Sequence, residues 1–349
     1  MTRSCIYCIF IIYAFWTSGC NKKEEMTIHI GYQSVTSQVW SALIIKNQGT
    51  FEEKIQDTYP DKKIKVEWHD VVSGAVINNN MISGKYHIGF MGDMPAIINC
   101  FKSNTTDNYN SEIIASDGKG LRGSNQAVLI SSNSTIESIS DLKGKTVTVP
   151  VGSSSHRMLL DLLNSNNLME SVTIQHQDVT VSTTLLENEK VDAFAVWEPY
   201  CTYLLERGTA RKLIDGSESN KDYLTGIIIN SDWGNQNEDI VIAFMECLLE
   251  AHELFRDDSD VAAGIIEQES SFSKEIAKNI IGNTRWDAII YQKDIDSMMN
   301  SIDFLSKIEV IDEYDIEDYI NQSYLALAVN YFGLNVPQLE KKEWPDEEY

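Results

Sequence analysis

Short apolar runs alternate with helix-spaced apolar positions along the first part of the chain. Residues 27–31 predict a strand, and the apolar residues of 39–44 repeat at helical spacing. Two more strands are predicted at 64–68 and 86–91, each followed by a turn of small residues and a helical stretch. This β-α-β-α-β succession predicts a parallel, doubly wound sheet.

A second series of the same kind occupies the middle of the chain. Its predicted strands share a short apolar run and lie at 146–149, 172–176, 191–196 and 225–229. After them the pattern is helical to the end, with an apolar stripe from Val241 to Phe255. The sequence therefore predicts two α/β units of like design and a helical C-terminal region.

The two units share a further pattern at the end of one strand each. Gly92-Asp93-Met94-Pro95 and Trp197-Glu198-Pro199 both place an acid and a nearby proline after an apolar strand. Proline is favoured at the first position of a helix, so each segment predicts a strand that turns directly into a helix. Ligands bind outside the carboxyl ends of strands in open α/β sheets, which predicts one shared cleft.

The first 20 residues predict a lipoprotein signal peptide. Arg3 precedes the apolar run 6–16, which is too short for the roughly 20 residues of a membrane span but suits a signal-peptide core. Thr17-Ser18-Gly19-Cys20 follows and resembles a lipobox, in which the cysteine is acylated. The alternative is a general secretory signal in which Cys20 has no role.

Charge and cysteine content narrow the class of protein. The 349 residues include 52 acidic and 28 basic side chains, a net charge of -24, so nucleic acid is excluded as a partner. After Cys20, the cysteines are Cys100, Cys201 and Cys247, which have no metal-binding spacing and are expected to be buried, unpaired thiols. We predict no cofactor and no metal site.

Two segments are the most readable candidates for ligand contacts. Gly152-Ser153-Ser154-Ser155 precedes a helix, whose N-terminal N–H groups could bind an anion; simple helix capping explains the serines equally well. Trp197-Glu198 could pack a ring on a ligand and accept its hydrogen bonds, or could be a core tryptophan beside a solvated acid. The turns at Gln33-Ser34, Ser73-Gly74 and Gly92-Asp93 are weaker signals alone.

Catalysis has little support in the sequence. Ser155 and His156 are neighbours on a helix and point about 100° apart, so they do not form a nucleophile and base. The common hydrolase, phosphate-loop and metalloprotease motifs do not occur. The prediction is a binding site without catalytic residues.

Together these segments resemble the nitrate/sulfonate/taurine family of ABC-importer solute-binding proteins. Six motifs occur in the family's order between Met26 and Tyr331, namely Gly31-Tyr32-Gln33, Ser73-Gly74, Gly92-Asp93-Met94-Pro95-Ala96, Asp141-Leu142-Lys143-Gly144-Lys145, Gly152-Ser153-Ser154 and Trp197-Glu198-Pro199-Tyr200. The resemblance implies a type II periplasmic-binding-protein fold, in which two doubly wound α/β domains are joined by two crossings. It implies a first domain of residues 26–117 and 226–349 and a second of 118–225.

The resemblance also implies the site and the partners. Solute would be held in the interdomain cleft by Gln33, Ser34, Ser73, Gly74, Gly92, Asp93, Ser153, Ser154, Ser155, Trp197 and Glu198. Hinge closure on the solute would create the surface that docks on a permease with its ATPase. The protein would be a monomer in the cell envelope, in the periplasm or on the outer face of the cytoplasmic membrane, and held to the membrane only by the lipid on Cys20.

Several alternatives remain open at the level of the sequence. The acid after the tryptophan is Glu198 where aspartate is common in the family, so the solute could be a sulfonate, a nitrate-like anion or a zwitterion such as taurine. Trp197 could instead stack on a heteroaromatic solute such as a thiamine-type pyrimidine. Two further hypotheses come from other classes of protein. One is a pyrimidine-biosynthesis enzyme on the same fold, and the other is a receptor that senses the solute rather than importing it.

Overall fold

The computed structural model describes residues 25–219 and 221–331, so the predicted signal peptide, Cys20 and residues 332–349 lie outside the described residues. The strands are β1 Glu25–Tyr32, β2 Lys63–Asp70, β3 Ile88–Gly92, β4 Ser111–Ala115, β5 Gly118–Lys119, β6 Gln126–Ser131, β7 Thr146–Val149, β8 Thr173–His176, β9 Ala193–Trp197, β10 Ala210–Asp215, β11 Thr225–Asn230 and β12 Arg285–Trp286. The helices are α1 Ser41–Gln48, α2 Thr50–Thr58, α3 Gly74–Ile82, α4 Asp93–Thr105, α5 Ser154–Ser165, α6 Val179–Glu187, α7 Tyr200–Glu206, α8 Ser231–Gln236, α9 Glu238–Asp257, α10 Ser259–Glu269, α11 Lys274–Gly282, α12 Gln292–Lys307 and α13 Ser323–Tyr331.

Two five-stranded sheets organise the chain into two lobes. The first lobe contains the sheet β2-β1-β3-β11-β4, and the second lobe contains β10-β6-β9-β7-β8. The predicted doubly wound α/β architecture with a helical C-terminal region is confirmed. In the first sheet β1 pairs in parallel with β2 and β3, and in the second sheet β7 pairs in parallel with β8 and β9.

The prediction of wholly parallel sheets is wrong for two strands. β11 is antiparallel to β3 and β4, and β6 is antiparallel to β9 and β10. Each of these strands directly follows the segment by which the chain passes from one sheet to the other. Because the chain enters the new sheet from the opposite end, the entering strand runs against its neighbours.

Helices cover both faces of each sheet, so the central strands are apolar along their whole length. In the first lobe, Ile88 and Phe90 of β3 pack toward α1, α2 and α9, while Met91 packs toward α3, α4 and α12. In the second lobe, α5 covers one face of the sheet, and α6 and α7 cover the other. Cys100, Cys201 and Cys247 are buried and unpaired, which confirms that expectation.

The two segments that connect the sheets lie side by side. The main chains of Gly120 and Tyr223 exchange two hydrogen bonds, each with an N···O distance of 2.8 Å. The neighbouring strand β5 pairs with β12, and its Lys119 is fully buried. The Nζ atom of Lys119 lies 2.6 Å from a carboxylate oxygen of Asp294, at the start of α12. Paired main chains and a buried ion pair therefore fix the positions of the two connecting segments.

Several elements differ from the sequence predictions in detail. Strands β4, β6 and β10 were not predicted, and β12 interrupts the otherwise helical region after β11. Neither proline occupies the first position of its helix, because α4 begins two residues before Pro95 and α7 begins one residue after Pro199. Among the described residues, no helix combines the length and apolar character needed to cross a membrane.

Candidate functional site

A cavity of about 160 Å³ lies between the two lobes. An engineered protein cavity of about 150 Å³ binds benzene, so this space suits a solute of roughly that size. Its walls come mainly from turns that follow strands in both sheets. The lining residues are Gln33, Thr36, Ser73, Gly74, Ala75, Gly92, Pro95, Pro150, Val151, Gly152, Ser153, Ser154, His176, Asp178, Trp197 and Tyr223.

Four helices begin at this cavity. The residues in the N-cap positions of α3, α4, α5 and α6 all line it, and they are Ser73, Gly92, Ser153 and Asp178. The first N–H groups of a helix have no acceptor within the helix, and the helix dipole places roughly half a positive charge at this end. Two helix starts from each lobe therefore give the cavity a positive local potential in a strongly acidic protein.

The turn before α5 shapes one wall of the cavity. Gly152 has a φ of 85°, a left-handed conformation that glycine adopts without strain. Ser153 caps the helix, with its Oγ accepting from the N–H of His156 at 3.2 Å, and the imidazole Nδ1 of His156 accepts from the N–H of Gly152 at 3.3 Å. Burial, together with the nearby His176, lowers the pKa of His156 to about 4, so the imidazole is neutral at pH 7.

A contact between the lobes lies directly beside the cavity. The Ser154 hydroxyl, in the first turn of α5, donates to the Asp93 carboxylate, in the first turn of α4. The same carboxylate oxygen accepts from the N–H of Met94 at 2.9 Å. Burial raises the pKa of Asp93 to about 6, although these hydrogen bonds and Arg157 act in the opposite direction.

Trp197 makes a second contact between the lobes. Its indole Nε1 donates to the carbonyl oxygen of Val35 and to the Thr36 hydroxyl, both at 3.0 Å. Nearby, the Ser37 N–H donates to the carbonyl oxygen of Glu198 at 3.1 Å. The side chain that lines the cavity therefore also ties the strand end of the second lobe to the first loop of the first lobe.

The structure brings together at the cavity the predicted residues Gln33, Ser73, Gly74, Gly92, Ser153, Ser154 and Trp197. The other four predicted residues do not line it. Asp93 lies behind Ser154, as described above, and the Ser155 hydroxyl is directed to the carbonyl oxygen of Ala195 at 3.3 Å. The role of all these residues in solute binding stays a prediction.

Ser34 and Glu198 are turned to partners outside the cavity. The Ser34 hydroxyl donates to Asp70 at 2.6 Å. The Glu198 carboxylate accepts from the N–H of Thr202 at 2.9 Å and from its hydroxyl at 3.0 Å, and burial raises its pKa. Glu198 is therefore neither directed to the cavity nor a solvated acid, because its carboxylate caps the first turn of α7 from the residue before the N-cap.

The sequence analysis missed Asp178, His176 and Tyr223 as lining residues. A signal for Asp178 was present, because an aspartate between a strand and a helix is a common N-cap at the ligand-binding edge of a sheet. Asp178 makes no cap hydrogen bond with its side chain. Its carboxylate, rather than that of Glu198, is the acidic group at the cavity wall.

The adjacent residues Ser155 and His156 do not form a catalytic pair in the structure. Ser155 and His156 make separate hydrogen bonds, to Ala195 and Gly152, and do not contact each other as a nucleophile and base would. Within residues 25–219 and 221–331, the one group of three side chains arranged to hold a metal ion lies away from this cavity.

Comparisons with known proteins agree with this geometry. Residues 113–262 match the family described as NMT1/THI5 like. A Bacillus subtilis (strain 168) protein named for binding aliphatic sulfonates is 25% identical over 338 residues, which cover 94% of this chain and 97% of that protein. Both matches support the resemblance of this chain to the sulfonate/nitrate family of ABC-importer solute-binding proteins.

Solved structures match this chain over nearly their whole length. The alkanesulfonate-binding protein SsuA from Xanthomonas axonopodis pv. citri, bound to MOPS, is similar with a TM-score of 0.71 and 20% identity, over 85% of this chain and 98% of that chain. The periplasmic nitrate-binding protein NrtA from Synechocystis PCC 6803 has a TM-score of 0.66 and 12% identity, over 91% of each chain. These likenesses establish the periplasmic-binding-protein fold, and the relatives named for binding agree with a protein that is not an enzyme.

Proposed function

We propose that this solute-binding protein captures a small sulfonate-like anion or zwitterion in the cavity between its lobes. The observation that carries the proposal is the convergence of four helix N-termini, those of α3, α4, α5 and α6, on one small cavity. A sulfonate group presents three oxygens, which suit N–H donors that approach from several helices. The Bacillus subtilis relative that matches over 94% of the chain is named for aliphatic sulfonate binding, which supports the same solute class.

Asp178 favours a zwitterion within this class. A carboxylate beside four helix starts would weaken the binding of a plain anion, but it would pair with an ammonium group on the same solute. Asp178 lines the cavity and leaves its side chain outside the cap of α6. The role that the sequence assigned to Glu198, the recognition of a solute ammonium group, passes to Asp178 in this proposal.

Delivery to a permease follows from closure of the lobes. Solute that contacts Ser73 and Gly92 on one side and Ser153 on the other stabilises the closed arrangement, in which a docking surface for the permease is complete. This proposal includes domain limits at 117/118 and 225/226 and a monomeric state. It also includes acylation at Cys20, which would hold the protein on the cell envelope. A partner ATPase supplies the energy of import.

The proposal is tested by a thermal-shift screen with taurine, alkane sulfonates, nitrate, bicarbonate and a thiamine-type pyrimidine. Ligand that binds only the folded state adds RT ln(1 + [L]/Kd), about 4 kcal/mol at a thousandfold excess over Kd. We expect sulfonates to raise the melting temperature by several degrees. A shift with the pyrimidine alone, or with none of the compounds, contradicts the proposal.

Two matched variants then locate the recognition of the amine. Asp178→Asn is expected to reduce the preference for an amino-sulfonate over an alkane sulfonate of the same length about tenfold, the effect of roughly 1.4 kcal/mol. Glu198→Gln removes a carboxylate that faces Thr202 and is expected to leave this preference unchanged. Calorimetric titration of both variants with both solutes measures the ratio. An unchanged ratio in Asp178→Asn leaves the anion site in place but removes the case for a zwitterion.

A further inference from the structure

Three side chains with metal-ligating atoms lie together on the outward face of the first sheet. Glu67 and His69 are two residues apart on β2, so they point to the same face. On β1, His29 is paired with Glu67, and Gly31 is paired with His69. The strand register therefore brings together residues that are about forty positions apart in the sequence, which is why the sequence analysis predicted no metal site.

The three ligand atoms converge on one point. The Nδ1 of His29 lies 3.0 Å from the Nε2 of His69 and 3.3 Å from the Oε2 of Glu67, and the last two atoms are 4.0 Å apart. Ligands around a tetrahedral zinc ion, at about 2.0–2.1 Å from the metal, are separated by about 3.3 Å. The side chains are thus already spaced as ligands of a single ion, and movements of a few tenths of an ångström complete the geometry.

Neighbouring residues hold two of these side chains in place. The Lys65 ammonium pairs with the other carboxylate oxygen of Glu67, Oε1, and leaves Oε2 directed toward the imidazoles. The Tyr86 ring stacks on His69 with ring centroids 4.7 Å apart. This stacking requires glycine at position 31, because a Cβ there would lie 2.6 Å from the Tyr86 ring. Supporting contacts of this kind orient the ligands of metal sites in proteins.

We propose that His29, Glu67 and His69 bind one divalent transition-metal ion of the zinc class, with the remaining position open to solvent. Two imidazoles and one carboxylate form a ligand set that suits Zn²⁺, and an open position is usual where the protein supplies three ligands. The side chains of the three residues are each about one-third exposed, so an ion reaches them directly from solvent. The depression that contains the two histidines shares no lining residue with the interlobe cavity.

The ion would join β1 to the edge strand β2. Because binding involves only the folded register of these two strands, the metal stabilises the folded protein. In this proposal the metal site and the solute site are separate, and each binds its ligand independently of the other.

Zinc binding by the tag-free protein is measured in competition with a chromogenic chelator, and Co²⁺ is used as a spectroscopic substitute. We expect one equivalent of Zn²⁺ per chain and the intense visible absorption of four-coordinate Co²⁺. His29→Asn, His69→Asn and Glu67→Gln are each expected to weaken zinc binding at least tenfold and to abolish the Co²⁺ spectrum. Circular dichroism of the metal-free variants confirms that they are folded.

Glu25→Gln is the matched control. Glu25 lies on the same face of β1, pairs with exposed Lys63, and its loss removes the same charge from the same surface. This variant is expected to bind Zn²⁺ as the natural sequence does. Absence of stoichiometric binding, or equal losses in Glu25→Gln and Glu67→Gln, would overturn the proposal, because the second result indicates only general attraction of cations to an acidic surface.

Discussion

At the scale of single residues, Asp93 is the group whose protonation is most closely tied to the contact between the lobes. Its carboxylate is buried between the first turns of α4 and α5 and accepts from Ser154 and Met94. Burial raises its pKa from about 3.8 to about 6. The folded protein therefore holds a proton on Asp93 at pH values where the unfolded chain has released it.

The sign of the resulting pH dependence follows from linkage. The stability contributed by protonated Asp93 is fully present below about pH 3.8 and is lost as the pH rises through about 6. The difference amounts to about 3 kcal/mol at 1.36 kcal/mol per pKa unit. We expect the free energy of unfolding of the natural protein, relative to Asp93→Asn, to fall by up to this amount between pH 4 and pH 7. Urea unfolding of both proteins across this range measures the difference, and parallel pH profiles would contradict it.

Side-chain direction is what the sequence could not supply at this scale. Glu198 was predicted to face the solute, but it caps α7 through Thr202. Ser34 was predicted to line the cavity, but it bonds to Asp70 on a neighbouring strand. In both cases a local pattern placed the residue at the correct edge of the sheet. The direction of each side chain is decided by a hydrogen-bond partner, Asp70 or Thr202, and the local sequence pattern does not show which partner wins.

At the scale of elements, the buried ion pair of Lys119 and Asp294 joins β5, which lies in a segment that connects the two sheets, to α12. Lys119 also donates to the carbonyl oxygen of Ile289 at 2.5 Å, and both charged side chains are almost completely buried. Removing one partner of a buried pair leaves an uncompensated charge, which commonly costs 3–5 kcal/mol. Here Lys293 also pairs with Asp294, so the lower end of this range applies.

Lys119→Met is therefore expected to reduce the free energy of unfolding by about 3 kcal/mol. Lys63→Met, which breaks the exposed pair with Glu25, is the matched control and is expected to leave the free energy of unfolding nearly unchanged. Chemical denaturation of both variants gives the two values. The double variant Lys119→Met/Asp294→Asn should lose less than the sum of its single variants, and strict additivity would show that the pair is not coupled.

The sequence predicted the elements better than their directions. Apolar runs identified β1, β2, β3, β7, β8, β9 and β11, and small residues after several of these strands identified much of the cavity wall. The ends of parallel strands meet at one edge, so this part of the site followed from the order of elements alone. The antiparallel course of β11 was missed because an apolar run has the same pattern in either direction, and β6 was not predicted as a strand.

At the scale of the whole molecule, a net charge of -24 surrounds a cavity that four helix N-termini make locally positive. The Debye length, the distance beyond which charges are largely screened, is about 30 Å at 0.01 M ionic strength and about 8 Å at 0.15 M. An approaching anion therefore meets long-range repulsion at low salt and much less at physiological salt. Inside the cavity, where contacts are short, added salt has little effect.

If the solute is a sulfonate, its association rate constant is expected to rise with ionic strength, while its dissociation rate constant stays nearly constant. An amino-sulfonate without net charge serves as the internal control and should show a flatter profile. Stopped-flow binding between 0.01 and 0.15 M of a bulky-anion salt, chosen to avoid competition in the cavity, measures both constants. An association rate that falls with salt would show that the local positive potential controls the approach.

Tyr223 lies in one of the two segments that connect the sheets and also lines the cavity. Its main chain pairs with that of Gly120 in the other connecting segment. A connecting segment between the lobes therefore borders the cavity directly. If the lobes close on solute as proposed, the shape of the solute would act directly on these segments, and two solutes of similar affinity would leave the protein in differently closed forms.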